Sequence, residues 1–258
     1  MTHEFKTPVS VNLGYLDLIK TNILKPKEIT GYIDVSAKIN RKLLTTLEDL
    51  LTFIKLDQND ALTIEHLKEE NLFNFLHAEI QKFEHSCSIQ NITIHLMTNV
   101  SPEYVFKFDY SKLSKILNNL LTNAIKFSKN DQAIHVTFML QDNHIIIKVK
   151  DEGIGIDKKL HEKIFNRFYQ VKQNEGNGFG IGLFLVKNIV AAWNGTIDVE
   201  SELDKGTTFS IKAPVSSISE AEAINEIVEI DFFEKETHEA INADVVKILI
   251  VENQLEMI

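Results

Sequence analysis

The chain has 258 residues and a formal net charge of −10, with 44% hydrophobic and 25% charged residues, which is typical of a globular protein of one large or two ordinary domains. The negative charge argues against a nucleic-acid-binding protein, because phosphate contacts need clustered lysine and arginine. No run of 18 or more apolar residues occurs, and the first residues lack the pattern of a secretory signal. The single Cys87 excludes a disulfide framework and indicates a reducing compartment.

Two amphipathic helices are predicted at the start of the chain, because apolar residues recur every three or four positions over residues 4–23 and 28–56. Pro26 between them suits a turn or the first turn of the second helix. Two long helices with a short connection form an antiparallel hairpin. The apolar faces are wide for a lone hairpin, so we expect a second copy of the chain to complete a four-helix bundle in a homodimer.

The middle of the chain alternates between helical and strand patterns. Residues 57–66 are typical of a linker. Helical periodicity predicts further helices at 69–90, 110–127 and 180–193. Period-two alternation predicts strands at 92–97, 104–108, 134–140, 144–150, 196–201 and 207–213, with a glycine-punctuated loop at 152–178. This order predicts an α+β sandwich, with helices on one face of a mixed sheet.

The last part of the chain changes character. Residues 215–244 are rich in serine, alanine and glutamate, which predicts a mobile or weakly helical linker. Residues 245–252 then give the pattern of a buried strand that ends in an acid.

The predicted helix at 115–128 has one polar face that contains candidate functional residues. Asn119, Asn123 and Lys126 lie at i, i+4 and i+7, so they share this face. Carboxamide oxygens suit Mg2+ and a lysine suits phosphate. The alternative is a surface helix that happens to carry asparagines.

Two glycine-containing segments are also candidate sites. In DEGIGI at 151–156, an aspartate at a strand end can accept a hydrogen bond from an exocyclic amine such as that of adenine, although an ordinary turn is the alternative. At 176–187 alternating glycines give way to a helix, which is a potential phosphate site or else a flexible hinge. A Rossmann interpretation of that segment fails, because no βαβ unit precedes it. Between the two segments, Phe165 and Phe168 are expected to pin a nucleotide lid.

Six motifs in this order resemble the boxes of sensor histidine kinases over residues 1–214. They are HEFKTP at 3–8, NLLTNAIKFS at 119–128, DEGIGI at 151–156, IFNRF at 164–168, GFGIGL at 178–183 and GTTF at 206–209. The resemblance implies a dimerisation and histidine-phosphotransfer hairpin at 1–58 and a GHKL-type (Bergerat) ATP-binding domain at 66–214. An acidic linker at 215–244 would follow. The KILIVEN segment resembles the first strand of a receiver domain, which implies a hybrid kinase with a truncated receiver at 245–258.

The resemblance also implies roles for individual residues. His3 matches the phosphoacceptor, Glu4 the acid that takes its proton, and Thr7 the residue that positions water when the partner regulator is dephosphorylated. Asn123 matches the Mg2+ ligand. The remaining matches concern the nucleotide. Asn119 matches a helper of Asn123, Lys126 a phosphate contact and Phe127 a contact to the nucleotide. Asp151 matches the acid that binds the adenine amino group, Gly153 and Gly155 shape the adenine pocket, and Thr207 or Thr208 lies near adenine. Gly178, Gly180 and Gly182 match the loop on the phosphate side.

The expected function is therefore an ATP-dependent and Mg2+-dependent protein histidine kinase of a two-component phosphorelay. It would transfer the phosphoryl group from His3 to a receiver-domain aspartate. The expected location is the cytoplasmic portion of a membrane-bound bacterial sensor kinase, with Met1 internal to a longer protein. One alternative is a non-catalytic scaffold or sensor of the same fold. Another is a GHKL ATPase such as a topoisomerase or chaperone fragment, but those use a carboxylate where this chain has Asn119, which cannot act as a base.

Overall fold

The computed structural model of the chain describes residues 2–21, 25–57, 67–171, 180–215, 223–233 and 247–249. Backbone contacts divide the chain into two units. The first unit is Met1–Ala61 with Asn166–Leu185, and the second is Leu62–Phe165 with Val186–Ile258.

The first unit contains the two helices predicted at the start of the chain, α1 (Thr2–Lys20) and α2 (Pro26–Asp57). The Asn12 amide nitrogen donates to the Asn40 side-chain oxygen at 2.8 Å, and the rings of Tyr15 and Tyr32 lie 5.3 Å apart. Later residues of α1 therefore contact earlier residues of α2, so the two helices run antiparallel. The linker predicted at 57–66 falls almost wholly outside the described residues, and the four-helix bundle stays a prediction.

The single helix predicted for 69–90 is wrong, because three shorter elements take its place. They are β1 (Lys68–Asn71), α3 (Leu72–Gln81) and α4 (Glu84–Gln90). The Asn71 side chain accepts a hydrogen bond from the Asn74 amide at 2.8 Å, and this cap starts α3 one residue after Asn71. A turn at Lys82 and Phe83 separates α3 from α4, and Asn91 ends α4 in the left-handed conformation at φ 53°.

A mixed sheet forms the body of the second unit and confirms the predicted sandwich. Its strands are β2 (Thr93–Val100), β4 (Ala133–Gln141), β5 (His144–Asp151), β6 (Thr196–Glu202), β7 (Gly206–Pro214), β8 (Ala223–Phe232) and β9 (Lys247–Leu249). The order across the sheet is β6-β7-β5-β4-β2-β8-β9. Only β2 and β4 pair in parallel among these described strands. The remaining strand, β3 (Val105–Phe108), pairs antiparallel with β1 in a separate two-stranded sheet.

The mobile or weakly helical linker predicted for 215–244 is wrong over Ala223–Phe232, which form strand β8 and pair antiparallel with β2. Val228 and Phe232 are buried on one side of β8, while the acidic Glu229 and Asp231 alternate with them. Period-two alternation thus outweighs the acidic composition on which the prediction was based. Strand β9 pairs with β8 in the same sheet. The start of a receiver domain at 245–258 is not tested by this pairing and stays a prediction.

Helices cover the apolar face of the sheet. Helix α5 (Tyr110–Phe127) has the predicted bounds and begins where the Asp109 side chain accepts from the Lys112 amide at 3.1 Å. Its buried side chains, which include Leu117 and Leu120, pack against the sheet at β5. Helix α6 (Gly182–Ala192) is followed by Trp193, whose ring lies 4.7 Å from that of Phe108. The α5–β5 contact brings one end of α5 close to the end of β5.

Candidate functional site

The central feature of the site is a buried carboxylate at the end of β5. Asp151 is only 5% exposed. Its Oδ1 accepts hydrogen bonds from the amides of Gly153 at 2.9 Å and Thr207 at 3.2 Å. Burial raises the pKa of Asp151 above its ordinary value, and the two amide hydrogen bonds oppose this effect only in part. Neither bond uses Oδ2, so this oxygen is available to a donor from outside the protein.

The loop after Asp151 passes against the end of α5. The Ile154 amide donates to the Phe127 carbonyl at 3.2 Å. A Cβ atom on Gly153 would collide with that same carbonyl, and Gly155 has a φ of +67° and lies against the carbonyl of Glu202. Glycine is therefore required at both positions, which fixes the path of the loop and holds the end of α5 close to Asp151.

The turn between β6 and β7 closes the other side of the carboxylate. Thr207 lies directly opposite Asp151 in the β5–β7 register, whereas Thr208 lies opposite Lys150 and points to the other face of the sheet. The Ser201 hydroxyl donates to the Gly206 carbonyl at 2.8 Å and lies 3.0 Å from the Thr207 hydroxyl. Of the two threonines considered from the sequence, only Thr207 is next to Asp151.

Two residues of this site were missed by sequence reasoning. Gly206 has a φ of +90°, and a Cβ atom there would meet the carbonyl of Asp151. Ser201 accepts a hydrogen bond from the Ile156 amide at 2.8 Å and so links β6 to the loop. The GTTF motif contains Gly206 and could have indicated it, but the involvement of Ser201 depends on the pairing of β6 with β7.

The polar residues predicted to bind the nucleotide lie on α5, the helix whose end at Phe127 contacts the loop after Asp151. Asn119, Asn123 and Lys126 are each half-buried. The Asn119 amide nitrogen donates to the Lys115 carbonyl at 2.8 Å, which leaves its oxygen for another partner. The Lys126 amine lies 4.8 Å from the centre of the Phe127 ring. The described residues contain no group of three or more histidine, cysteine, aspartate or glutamate side chains that could hold a metal ion.

Gly180 and Gly182, which were also predicted to contact the nucleotide, belong to the first unit. Gly180 has a φ of +66°, and its carbonyl accepts from the Phe168 amide at 3.0 Å. Gly182 is the first residue of α6. Gly178 lies outside the described residues.

The two phenylalanines expected to pin a lid differ in their surroundings. Phe168 is exposed, with a φ of 60°. Phe165 belongs to the second unit and is buried there, where its ring packs edge-on against Phe209 at 6.3 Å. Phe165 is therefore a core residue in this structure.

His3, Glu4 and Thr7 lie on α1 near its N-terminal end. Their side chains fall outside what the structure describes. Along the described part of the chain, no helix is both long and apolar enough to cross a membrane.

Comparisons with known proteins identify the ATPase domain and the relatives of the chain. Residues 108–217 match the family model for histidine kinase-, DNA gyrase B-, and HSP90-like ATPases. Sensor protein SrrB of Staphylococcus aureus strain N315 is 30% identical over 218 residues, which cover 83% of this chain and 37% of SrrB. The chain thus spans little more than a third of the length of this curated relative.

Solved structures of histidine kinases share the fold. Full-length ShkA in complex with AMPPNP has a TM-score of 0.64 and 26% identity, and the match covers 84% of this chain and 45% of ShkA. Histidine kinase ThkA in complex with response regulator protein TrrA has a TM-score of 0.58 and 21% identity, with 83% of this chain and 60% of ThkA covered. Residues 108–217 therefore form an ATPase domain of the histidine kinase-, DNA gyrase B-, and HSP90-like family, and the chain is similar over most of its length to sensor histidine kinases of two-component systems.

Proposed function

We propose that this chain is the catalytic core of an ATP-dependent protein histidine kinase that autophosphorylates His3. The observation that carries this proposal is the Asp151 carboxylate, which is buried and fixed through one oxygen by two amides. Its other oxygen can accept a hydrogen bond from the amino group of adenine, and a carboxylate is a strong acceptor for that donor. The likeness to ShkA, which was solved with AMPPNP, supports a nucleotide at this site.

The half-buried polar residues of α5 would face the phosphates. The Asn123 carboxamide supplies the kind of hard oxygen ligand that Mg2+ prefers, and Mg2+ usually keeps waters and phosphate oxygens as its other ligands. A cluster of carboxylates is therefore not needed for the proposed Mg2+ site. When bound, Mg2+ neutralises charge on the phosphates, and Lys126 adds a further positive charge.

The proposed reaction transfers the γ-phosphoryl group to a ring nitrogen of His3. A P–N bond forms while the P–O bond to ADP breaks, and Glu4 takes the proton from the other ring nitrogen. Asn119 cannot act as a base for water, so transfer to histidine is favoured over hydrolysis. Phosphoryl transfer depends mainly on positioning and on charge neutralisation, which these residues supply.

A second copy of the chain and a receiver domain are the proposed partners. Apolar side chains remain exposed along α1 and α2 in the single chain, including Leu13, Leu16, Ile33, Leu44 and Leu47. A homodimer that forms a four-helix bundle would bury them.

The solved complex of ThkA with TrrA supports a response-regulator partner. The phosphoryl group of His3 would pass to an aspartate of that partner, and Thr7 would help to position water for the reverse dephosphorylation. We place this core on the cytoplasmic side of a membrane-bound bacterial sensor kinase.

Incubation with Mg2+ and ATP labelled at the γ-phosphate tests the proposal. We expect label on the protein that is lost in acid and retained in alkali, because a phosphorylated histidine contains a P–N bond that acid hydrolyses. An acid-stable label would contradict transfer to histidine. Binding of labelled ATP without any covalent label on the full-length chain would favour the non-catalytic sensor instead.

Asn123→Ala is expected to reduce the labelling rate about 100-fold or more, because the oxygen proposed to hold Mg2+ on the phosphates is lost. Asn118→Ala is the matched control, since Asn118 is exposed on the same helix and only accepts a weak 3.4 Å hydrogen bond from Thr122. The control should label at the native rate. Equal losses in the two variants would mean that the polar face of α5 is not specific, and equal melting temperatures would exclude misfolding.

A further inference from the structure

The Ser201 hydroxyl lies at the centre of three hydrogen bonds in the candidate site. Its oxygen is 2.8 Å from the Gly206 carbonyl oxygen, 2.8 Å from the Ile156 amide nitrogen and 3.0 Å from the Thr207 hydroxyl oxygen. A serine hydroxyl has one hydrogen to donate and two lone pairs with which it accepts. The three contacts therefore use its whole capacity, and the chemistry of the partners decides the direction of each bond.

Two of the three directions are fixed by backbone groups. The Gly206 carbonyl can only accept, so the Ser201 hydrogen points to it, and the Ile156 amide can only donate. Ser201 then has no second hydrogen for Thr207. The Thr207 hydroxyl is therefore the donor of the 3.0 Å bond, and its single hydrogen points to Ser201. For any other partner, the Thr207 oxygen can act only as an acceptor.

Thr207 and Asp151 lie side by side on one face of the sheet. They are directly opposite each other in the antiparallel β5–β7 pair, where facing Cβ atoms are about 5 Å apart. Both residues are buried, and the Thr207 amide donates to Asp151 Oδ1 at 3.2 Å. The end of β5 thus presents two neighbouring acceptors, which are Asp151 Oδ2 and Thr207 Oγ1.

We propose that Ser201 is a positioning residue that fixes the Thr207 hydroxyl as an acceptor, so that the pocket favours a ligand with an exocyclic amino group over one with a carbonyl in the same place. An amino group has two hydrogens and can donate to both oxygens, whereas a carbonyl oxygen would face two acceptors and leave them unpaired. The ligand class is a 6-aminopurine nucleotide in preference to a 6-oxopurine nucleotide. This inference rests on the proposed function, to which it adds the residue that sets the base preference.

Ser201 acts on the ligand only through Thr207, which distinguishes it from Asp151. A threonine hydroxyl turns about a single bond, so without Ser201 its hydrogen can point toward the ligand and donate to a carbonyl. The Asp151 carboxylate would still disfavour that carbonyl. Loss of Ser201 therefore reduces the base preference only in part, and this reduction depends on the Thr207 hydroxyl.

Titration of the full chain with ATP and with inosine triphosphate tests this role through Ser201→Ala. The base preference is the dissociation constant of inosine triphosphate divided by that of ATP. We expect this preference to fall about threefold to tenfold relative to the native chain, which is the size of one hydrogen bond. Ser210→Ala is the matched control and should keep the native preference, because Ser210 is half-buried on β7 but lies on the other face of the sheet from Thr207. An unchanged preference in Ser201→Ala would overturn the inference.

Thr207→Val tests whether Ser201 acts through the Thr207 hydroxyl, since valine has a similar shape without that hydroxyl. When Ser201→Ala is added to Thr207→Val, we expect the preference to change by less than about twofold. Thr207→Ser keeps the hydroxyl and should restore the native preference, and Thr208→Val, on the other face of the sheet, should not alter it. An equal effect of Ser201→Ala with and without the Thr207 hydroxyl would refute the positioning role.

The stability of Ser201→Ala is measured alongside binding. This variant leaves the Ile156 amide and the Gly206 carbonyl without the Ser201 hydroxyl, so its melting temperature should fall. If it melts below the assay temperature, Ser201→Cys takes its place, because a thiol is only a weak hydrogen-bonding group. A native chain that binds neither nucleotide would refute the proposed function and with it this inference. A native preference for ATP on which Ser201 has no influence would refute this inference alone.

Discussion

An Asp151→Asn chain is expected to bind ATP about 10- to 100-fold more weakly than the native chain, because a hydrogen bond to a charged acceptor is lost. The variant keeps one oxygen for the amides of Gly153 and Thr207, which both bond to Oδ1 in the native chain. Its amide nitrogen then stands in the place of Oδ2, where two donors face each other when adenine binds. Calorimetric titration with ATP measures the change.

The stability of the same variant separates binding from folding. Burial raises the pKa of Asp151, so its contribution to the free energy of unfolding is highest below the pKa of an unfolded aspartate and falls as pH rises through the raised pKa. A neutral asparagine avoids this loss at neutral pH. The melting temperature of Asp151→Asn should therefore equal or exceed the native value. A fall in both the melting temperature and the ATP affinity would indicate a structural role instead.

Inosine triphosphate gives a readout that only base recognition would change, because its base has a carbonyl where adenine has the amino group. The native chain should prefer ATP, and Asp151→Asn should reduce that preference at least about tenfold, since its amide can donate to the carbonyl. Asp157→Asn is the control, because the Asp157 side chain accepts from the Lys159 amide at 2.9 Å and caps a short turn. An unchanged preference in Asp151→Asn would contradict the assignment of the adenine-reading acid.

Local signals predict most elements of the second unit, because they are repeated within each element. Helix α5 combines an Asp109 cap with continuous apolar periodicity, and both bounds follow from these features. The sequences of strands β4 and β5 largely follow their alternating burial, apart from the apolar Met139 and Ile146 on the less buried side. The break between α3 and α4 at Lys82 and Phe83 could not be predicted, because no local signal marks it. The apolar period continues through it, since α3 and α4 both bury residues in one core, and no glycine or proline marks the turn.

Some residues of the candidate site can be predicted from their spacing in the sequence, and others only once the pairing of the strands is known. The shared face of Asn119, Asn123 and Lys126 follows from helical geometry alone. The choice between Thr207 and Thr208 depends on the β5–β7 register, because one step along a strand reverses the face. Strand β8 was missed for another reason, since the acidic composition of residues 215–244 was given more weight than the alternation of Val228, Ile230 and Phe232 with Glu229 and Asp231.

His3→Gln is expected to abolish covalent labelling from ATP, because a glutamine amide is not a nucleophile and cannot form the P–N bond. ATP affinity should stay within about twofold of the native value, since the residues assigned to nucleotide binding are unchanged. His85→Gln is the matched control, because His85 is exposed on α4 and its backbone carbonyl accepts a hydrogen bond from Ser88. Label that persists in His3→Gln at the native level would place the phosphoacceptor elsewhere.

Mixing His3→Gln with Asn123→Ala chains then distinguishes the two routes of transfer within the proposed homodimer. One chain retains the intact nucleotide site and the other retains the intact His3, so labelling in a mixed dimer requires transfer between subunits. Restored label on the Asn123→Ala chain would establish that route, and no restoration in dimers confirmed by size measurement would establish transfer within one subunit. The experiment is informative because the proposed defects are complementary: Asn123→Ala impairs the donor side of the reaction, and His3→Gln removes only the acceptor.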